Sequence, residues 1–275
     1  PKSTRKKRRL DEVCLEQYPE HSRNVIQSWI TQGKVVVNGR VVFKAGTQVA
    51  GGADIVINAA VPKFVCRAGL KMEAALDAFD IDPTGLTCLD SGLSTGGFTD
   101  CLLQRGAEKV YGVDVGYGQV AEKIRVHPQV VVMERTNLRH VGELPGGVLC
   151  QLATLDLSFI SVLKVLPAVC RMLEPRGEMI ILIKPQFEAE KGQVASGGVV
   201  RDDDIREKIL TRVIEGVEEG FGFECRGHIV SPIKGATSGN TEFLAHFVRV
   251  RDVELPPLKG AVGGGGEDAE EGQSP

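Results

Sequence analysis

From residue 86 onward, short apolar runs alternate with segments whose apolar positions recur every three to four residues. The runs are Leu86–Leu89, Lys109–Val113, Val130–Met133, Leu152–Leu157, Glu178–Ile183, His228–Val230 and Glu242–Val250, and each predicts a strand. Between them, Phe98–Gln104, Gly118–Arg125, Ser161–Leu173 and Asp203–Glu219 carry the period of helices. Strands and helices alternating over short connections predict an α/β fold, a parallel, doubly wound sheet. Ligands of such sheets sit at the carboxyl ends of the strands. An amphipathic helix over 64–80, with Leu70, Ala74, Ala75, Leu76 and Phe79 on one side, precedes the sheet.

The first sixty residues have a different rhythm. Leu10, Val13, Cys14 and Tyr18 suit a short helix. Ser22 is placed to cap a second one, whose apolar face is Val25, Ile26, Trp29 and Ile30, and Gly33 ends it. Lys34–Val42 is two β-rich runs around Asn38-Gly39, a strong hairpin signal, and Asp54–Ile57 is a further strand. The expected organisation is a basic arm over 1–8, a small α+β domain over 9–58, a linker over 59–63 and the large domain over 64–251. A disordered, acidic, Gly-rich tail over 252–275 completes it.

Composition narrows the class without naming a function. Of 275 residues, 42% are hydrophobic and 25% charged, as in soluble globular proteins. No apolar run approaches the ~18–20 residues of a membrane span, so no membrane partner is expected. The seven cysteines are scattered with no Cys-x-x-Cys pair, which favours reduced thiols and predicts no metal site. The net charge of −3 is unevenly spread: residues 1–58 hold ten basic side chains against five acidic, and 252–275 hold six acidic against one basic. A basic head suits a polyanionic partner, and equally an arm that is merely solvated. The chain starts at Pro1, so a targeting peptide ahead of it is not visible.

The candidate chemistry starts at Leu89–Asp100, where a strand meets Asp90, then Ser91-Gly92-Leu93-Ser94-Thr95-Gly96-Gly97, then the helix starting at Phe98. Glycines let the backbone pass close to a ligand, and a helix start offers free N–H groups. Alone, this pattern fits a dinucleotide, S-adenosylmethionine, a phosphate or a simple turn. Asp114, one βα unit later, is placed to accept hydrogen bonds from ribose hydroxyls. Further strand ends carry Glu134 with Asn137, Asp156 and Lys184. A strand-end aspartate is as often a helix cap as a site residue, and a lysine such as Lys71 on an amphipathic helix is usually solvated. Lys184, after Met179–Ile183, is harder to read as solvated.

From Arg9 to about Arg249 the chain resembles the TlyA (haemolysin A) family of ribosomal RNA methyltransferases. The resemblance rests on Gly33–Gly39, Arg67-Ala68-Gly69-Leu70-Lys71, Ser94–Leu103, Val113–Gln119 and Glu134–Asn137. It continues through Asp156-Leu157-Ser158-Phe159-Ile160-Ser161, Lys184-Pro185-Gln186-Phe187-Glu188 and Gly239-Asn240-Thr241-Glu242. It implies a Rossmann-like S-adenosylmethionine-dependent methyltransferase of the FtsJ type behind a small RNA-binding domain of the ribosomal-protein-S-four type. The implied reaction is 2′-O-methylation of ribose in ribosomal RNA, at cytidine. By motif position the FtsJ-type Lys-Asp-Lys-Glu tetrad falls on Lys71, Asp156, Lys184 and Glu242. The implied cofactor residues are Asp90, Gly92, Ser94, Thr95, Gly96, Gly97, Phe98, Asp114 and Asn137. In the basic N-terminal unit, Arg9, Arg23, Lys34 and Arg40 lie near helix starts and the hairpin, where phosphate contacts are natural, and the expected partner is ribosomal RNA or a ribosomal subunit.

The chain departs from the family pattern at Ala68, Ser91 and Leu93 and in the lead-in Lys234–Ser238, while all four tetrad residues are present. Two other classes stay open at this point: a non-catalytic RNA-binding assembly factor, and a membrane-active haemolysin. Against the last stands the lack of a span or of a strongly amphipathic basic helix. The expected compartment is the cytoplasm in a bacterium, or a plastid or mitochondrion in a eukaryote.

Overall fold

A computed structural model describes residues 7–59, 62–190, 192–195, 197–235 and 239–258. The chain divides into two compact units, 1–62 and 63–275.

The first unit is built from β1 (Arg8–Arg9), α1 (Leu10–Gln17), α2 (Arg23–Thr31), β2 (Val35–Val37), β3 (Arg40–Val41), β4 (Gln48–Val49) and β5 (Ile55–Ile57). Ser22 caps α2 by accepting from Val25 N. Asn38 and Gly39 both take positive φ, 49° and 77°, the paired left-handed turn that joins β2 to β3 in antiparallel register. Leu10, Cys14, Ile26, Trp29, Ile30 and Val35 close one small core.

The second unit runs α3 (Ala68–Phe79), β6 (Thr87–Ser91), α4 (Gly97–Gln104), β7 (Lys109–Val113), α5 (Glu122–Arg125), β8 (Val130–Met133), β9 (Cys150–Leu155), α6 (Leu166–Arg171), β10 (Leu173–Ile183), α7 (Pro185–Glu188), α8 (Asp203–Phe221), β11 (Phe223–Val230) and β12 (Phe243–Arg249). Its seven-stranded sheet has the order β11-β12-β10-β9-β6-β7-β8. Both faces are covered, which explains the unbroken apolar run of β10: Met179, Ile181 and Ile183 face one core with α6 and α8, while Ile180 and Leu182 face another with α3 and α4. After β6 the chain steps to β7 and β8 on one side, then crosses to β9 on the other. The crevice of this switch point opens between the carboxyl ends of β6 and β9.

The sheet is parallel except at its end. β12 runs antiparallel to both β10 and β11, and the described residues of the link from β11 hold no crossover helix. The helix expected over Gly118–Arg125 shrinks to α5, since Gly118 takes φ 71° and gives its N–H to Glu134. Pro167 lies in the first turn of α6, so the expected helix 161–173 is a 3-10 turn, Val162–Lys164, followed by α6, and β10 starts five residues earlier than its pattern suggests. Residues 252–258 are ordered on the second unit, against the expectation of disorder from 252: Arg171 donates to Pro256 O at 2.9 Å, and Leu255 and Leu258 pack against the core. The remainder of that expected tail, like most of the arm 1–8, lies outside the described residues. Among the described residues no helix is long and apolar enough to cross a membrane.

Candidate active site

Four elements bring the tetrad residues to one place. The register pairs Ile183 with Phe243, so Lys184 and Glu242 stand opposite each other just past the ends of β10 and β12. Asp156 follows β9 in the crevice, and Lys71 projects from the first turns of α3. Their side chains form two ion pairs. Lys71 Nζ lies 2.5 Å from Glu242 Oε2, and Lys184 Nζ lies 2.6 Å from Asp156 Oδ1. Lys184 also donates to Ser158 Oγ at 3.0 Å. Lys71, Lys184 and Glu242 are buried, yet all four line one cavity of about 440 Å³. Buried charges are tolerated only when paired, and here each ammonium has its own carboxylate.

A second cavity of about 480 Å³ adjoins the first, and Asp156, Ser158 and Phe159 line both. Its polar wall is Ser94, Asp114, Gly116 and Asn137, and its apolar wall includes Leu138, Ile160 and Val165. Asp114 is locked in place: Oδ2 accepts from Ser94 N at 2.7 Å and Oδ1 from Gly116 N at 2.6 Å. Each carboxylate oxygen keeps a further lone pair for a hydroxyl donor. Asn137 is exposed, and its Oδ1 accepts from Arg139 N. An apolar slot with one oriented carboxylate fits a nucleoside-bearing cofactor. Gly92 is needed at the junction because a Cβ there would lie 2.4 Å from Asp156 O, and its φ is 92°.

Other residues of the Gly-rich segment do not reach this cavity. Asp90 is fully buried and turned inward; Oδ2 accepts from Thr99 N and Oγ1, and Oδ1 accepts from Thr154 Oγ1. It caps the first turn of α4 instead of facing a ligand. Burial, with the Asp156 charge adding to it, pushes its carboxyl up to about 6. Gly96 answers to backbone geometry, φ 96°, and to Ile124, which would sit 3.0 Å from a Cβ there. A Cβ on Gly97 would meet Cys66 Sγ at 2.5 Å, so this glycine lets α3 and α4 approach. Phe98 is core, and half-buried Thr95 accepts from Ala121 N through its carbonyl.

Among the residues lining the first cavity, Phe159, Gln186 and Phe187 have no role in the reading of the sequence. Phe159 is 90% exposed, holds φ 63° and packs on the Phe187 ring at 5.0 Å. An aromatic residue three places after a strand-end aspartate was the available signal. Glu188 has none either: its buried Oε1 accepts from Val162 N at 2.8 Å, and burial raises its carboxyl above the usual range.

In the first unit, Arg23, Lys34 and Arg40 are exposed, and no acidic side chain among the described residues pairs with them. Arg9 is committed elsewhere: its guanidinium makes two 2.9 Å hydrogen bonds to Asp11 and holds that carboxyl down at about 2. Among the described residues no cluster of His, Cys, Asp or Glu is arranged to hold a metal ion.

Residues 64–249 match the FtsJ-like methyltransferase family and residues 8–55 the S4 domain. Hemolysin A of Brachyspira hyodysenteriae is 42% identical over 241 residues, 87% of this chain and 99% of that protein. The 16S/23S rRNA (cytidine-2'-O)-methyltransferase TlyA of Mycobacterium tuberculosis is 40% identical over 236 residues, 86% of this chain and 87% of its own. A solved haemolysin-named structure from Streptococcus thermophilus aligns with a TM-score of 0.69 at 37% identity, covering 90% of each chain.

Proposed function

The chain belongs to the haemolysin A (TlyA) family of FtsJ-like methyltransferases, and on that premise we propose that it 2′-O-methylates ribose in ribosomal RNA, at cytidine, using S-adenosylmethionine. The observation that carries the reading is the junction of the two cavities. Asp156, Ser158 and Phe159 line both, and the Lys184 ammonium sits on Asp156 and Ser158. A methyl donor on one side and a ribose on the other would meet there.

The cavity over Asp114 would hold S-adenosylmethionine, which when bound would supply a methyl group already activated by its sulfonium. Asp114 would accept from the cofactor's ribose hydroxyls, and the apolar wall of Leu138, Ile160 and Val165 would cover its base. A ribose 2′-hydroxyl is a weak nucleophile, so the chain's own residues must align it and take its proton. Lys184, after giving one of its own protons up to solvent, receives the hydroxyl proton at Nζ, while Asp156 and Ser158 fix where Nζ points. Lys71, held by Glu242, directs a second ammonium into the same cavity and orients the hydroxyl oxygen. Phe159 offers an exposed ring at the cavity mouth on which an unpaired base stacks.

The S4 unit docks RNA through Arg23, Lys34 and Arg40, which are free to meet phosphates. The compartment is then the one in which ribosomes are assembled. A non-catalytic assembly factor would have no use for two charge pairs buried beside a cavity, since such pairs seldom stabilise a fold beyond what apolar residues would. The test is to map 2′-O-methyl groups in ribosomal RNA incubated with S-adenosylmethionine and the protein. Methylation of a defined cytidine is expected. Binding of RNA and cofactor with no methyl transfer would sink the reading in favour of an assembly factor.

A further inference from the structure

Gln186 is the second residue of α7, two positions after Lys184 and just after Pro185, and it lines the cavity that holds the tetrad side chains. Its Oε1 is buried and accepts no hydrogen bond from any described residue. Buried polar atoms are nearly always paired, and leaving one unpaired costs about 1–3 kcal/mol. The other polar side chains lining this cavity fare better: Lys71 pairs with Glu242, and Lys184 with Asp156 and Ser158. One acceptor is thus left unused beside the reacting centre. The backbone that carries it is firm, because Pro185 fixes the turn and Phe187 N donates to Lys184 O at 2.9 Å.

We propose that Gln186 is a specificity-determining residue that reads the Watson–Crick edge of the target base, its Oε1 accepting from the exocyclic N4 amino group of cytosine. The proposal rests on the methyltransferase reading above and names what that site selects. Cytosine presents a donor at this position and uracil an acceptor, O4. In the orientation of the carboxamide seen here, cytosine satisfies the unused acceptor, whereas uracil sets two acceptors face to face and binds only after the carboxamide turns over. The carboxamide Nε2 is then available to donate to cytosine N3.

Because Oε1 is shielded from solvent in the free protein, the base reaches it only as the cavity wall opens. Phe159 lines the same cavity. Its ring is 90% exposed, its backbone is in the left-handed region at φ 63°, and it rests on Phe187, the neighbour of Gln186. A bulky residue at positive φ stores strain that an alternative backbone conformation relieves.

The test is an internal competition. Ribosomal RNA carrying C or U at the mapped target position is methylated in one reaction, and the C:U ratio of kcat/KM is read for the wild type, Gln186→Leu and Gln186→Glu. The wild type should prefer C by ~10-fold or more, the range expected when one base hydrogen bond is matched or opposed. Gln186→Leu should bring the ratio near one. Gln186→Glu keeps acceptors and has no donor, so it should still favour C. A wild-type ratio near one, or a Gln186→Leu ratio equal to the wild type whether its total activity falls or not, would overturn the proposal. Wild-type protein that methylates neither RNA would instead remove the methyltransferase reading, and this inference with it.

Discussion

Gly92 and Asp156 touch through their backbones at the switch point of the sheet: a single Cβ on Gly92 would stand 2.4 Å from the carbonyl oxygen of Asp156. The two residues follow neighbouring strands; Gly92 lines the second cavity, and Asp156 lines both. Gly92→Ala must therefore displace Asp156 as well as strain a backbone at φ 92°. Cofactor affinity and methyl transfer should fall together, with ~1–3 kcal/mol of stability lost. Gly118→Ala is the control. It has φ 71° but nothing within 4 Å of its would-be Cβ, so only a backbone cost of about 1 kcal/mol is expected. Calorimetry with S-adenosylmethionine and thermal melts of both variants check the contrast; equal losses would show that the Asp156 contact is immaterial.

Lys184→Ala removes the proposed base and leaves most of the core untouched. Single-turnover methyl transfer should drop by ~10²-fold or more, the lower range for loss of general-base catalysis. Cofactor binding should change little. Lys184→Arg should not restore the rate, because a guanidinium does not give up its proton in the working pH range. A rate near wild type in either variant would leave alignment as the source of catalysis.

Glu188 ties the segment after Lys184 to the loop that carries Asp156, Ser158 and Phe159, through its 2.8 Å bond from Val162 N. Glu188→Ala loosens that tie and leaves a buried N–H unpaired, at about 1–3 kcal/mol. The expected result is a lower kcat with little change in cofactor Kd. Glu188→Gln retains an acceptor oxygen and should recover most of the rate. Identical rates for the two variants would mean the tie does not hold the loop.

Asp90 gives a pH signature in stability. Its folded value, about 6, lies above the ordinary 3.8, so between these values the folded protein holds a proton that the unfolded chain has released. Stability therefore falls as pH rises through this window, by roughly 3 kcal/mol at ~1.4 kcal/mol per pH unit. Asp90→Asn has no charge to bury, and an amide at the Oδ1 position can donate to Thr154 Oγ1, which turns its own proton to Leu89 O. In denaturant titrations the variant should exceed the wild type at pH 7.5, and the difference should close near pH 4. A pH-independent difference would contradict the assignment.

For the S4 unit, the triple change Arg23→Ala, Lys34→Ala and Arg40→Ala should weaken binding to ribosomal RNA and flatten its salt dependence, since each lost phosphate contact removes a released counterion. Arg9→Ala should instead lower stability, because it strips Asp11 of the partner that holds its carboxyl at about 2. Filter binding across a salt series, beside thermal melts, separates the two. An unchanged salt slope in the triple variant would place the RNA contacts elsewhere.

The alternation of apolar runs and amphipathic segments by itself determined the α/β class, the strand ends that bear Asp156 and Lys184, and the hairpin at Asn38-Gly39. These follow from period and turn chemistry, which are local. Lys71 and Glu242 entered through a resemblance in motif, because neither has a local pattern that sets it apart. Their meeting at 2.5 Å across 171 residues is the work of strand order and register. The same holds for Asp90. Its place in a Gly-rich loop suggested a ligand, but only packing decides that the carboxylate turns into the core to cap α4, away from the cavity. The antiparallel entry of β12 and the docking of 252–258 depend on partners far away in the chain. So does the unused acceptor of Gln186, because an unpaired atom is a property of everything around it, and a sequence lists only the atom.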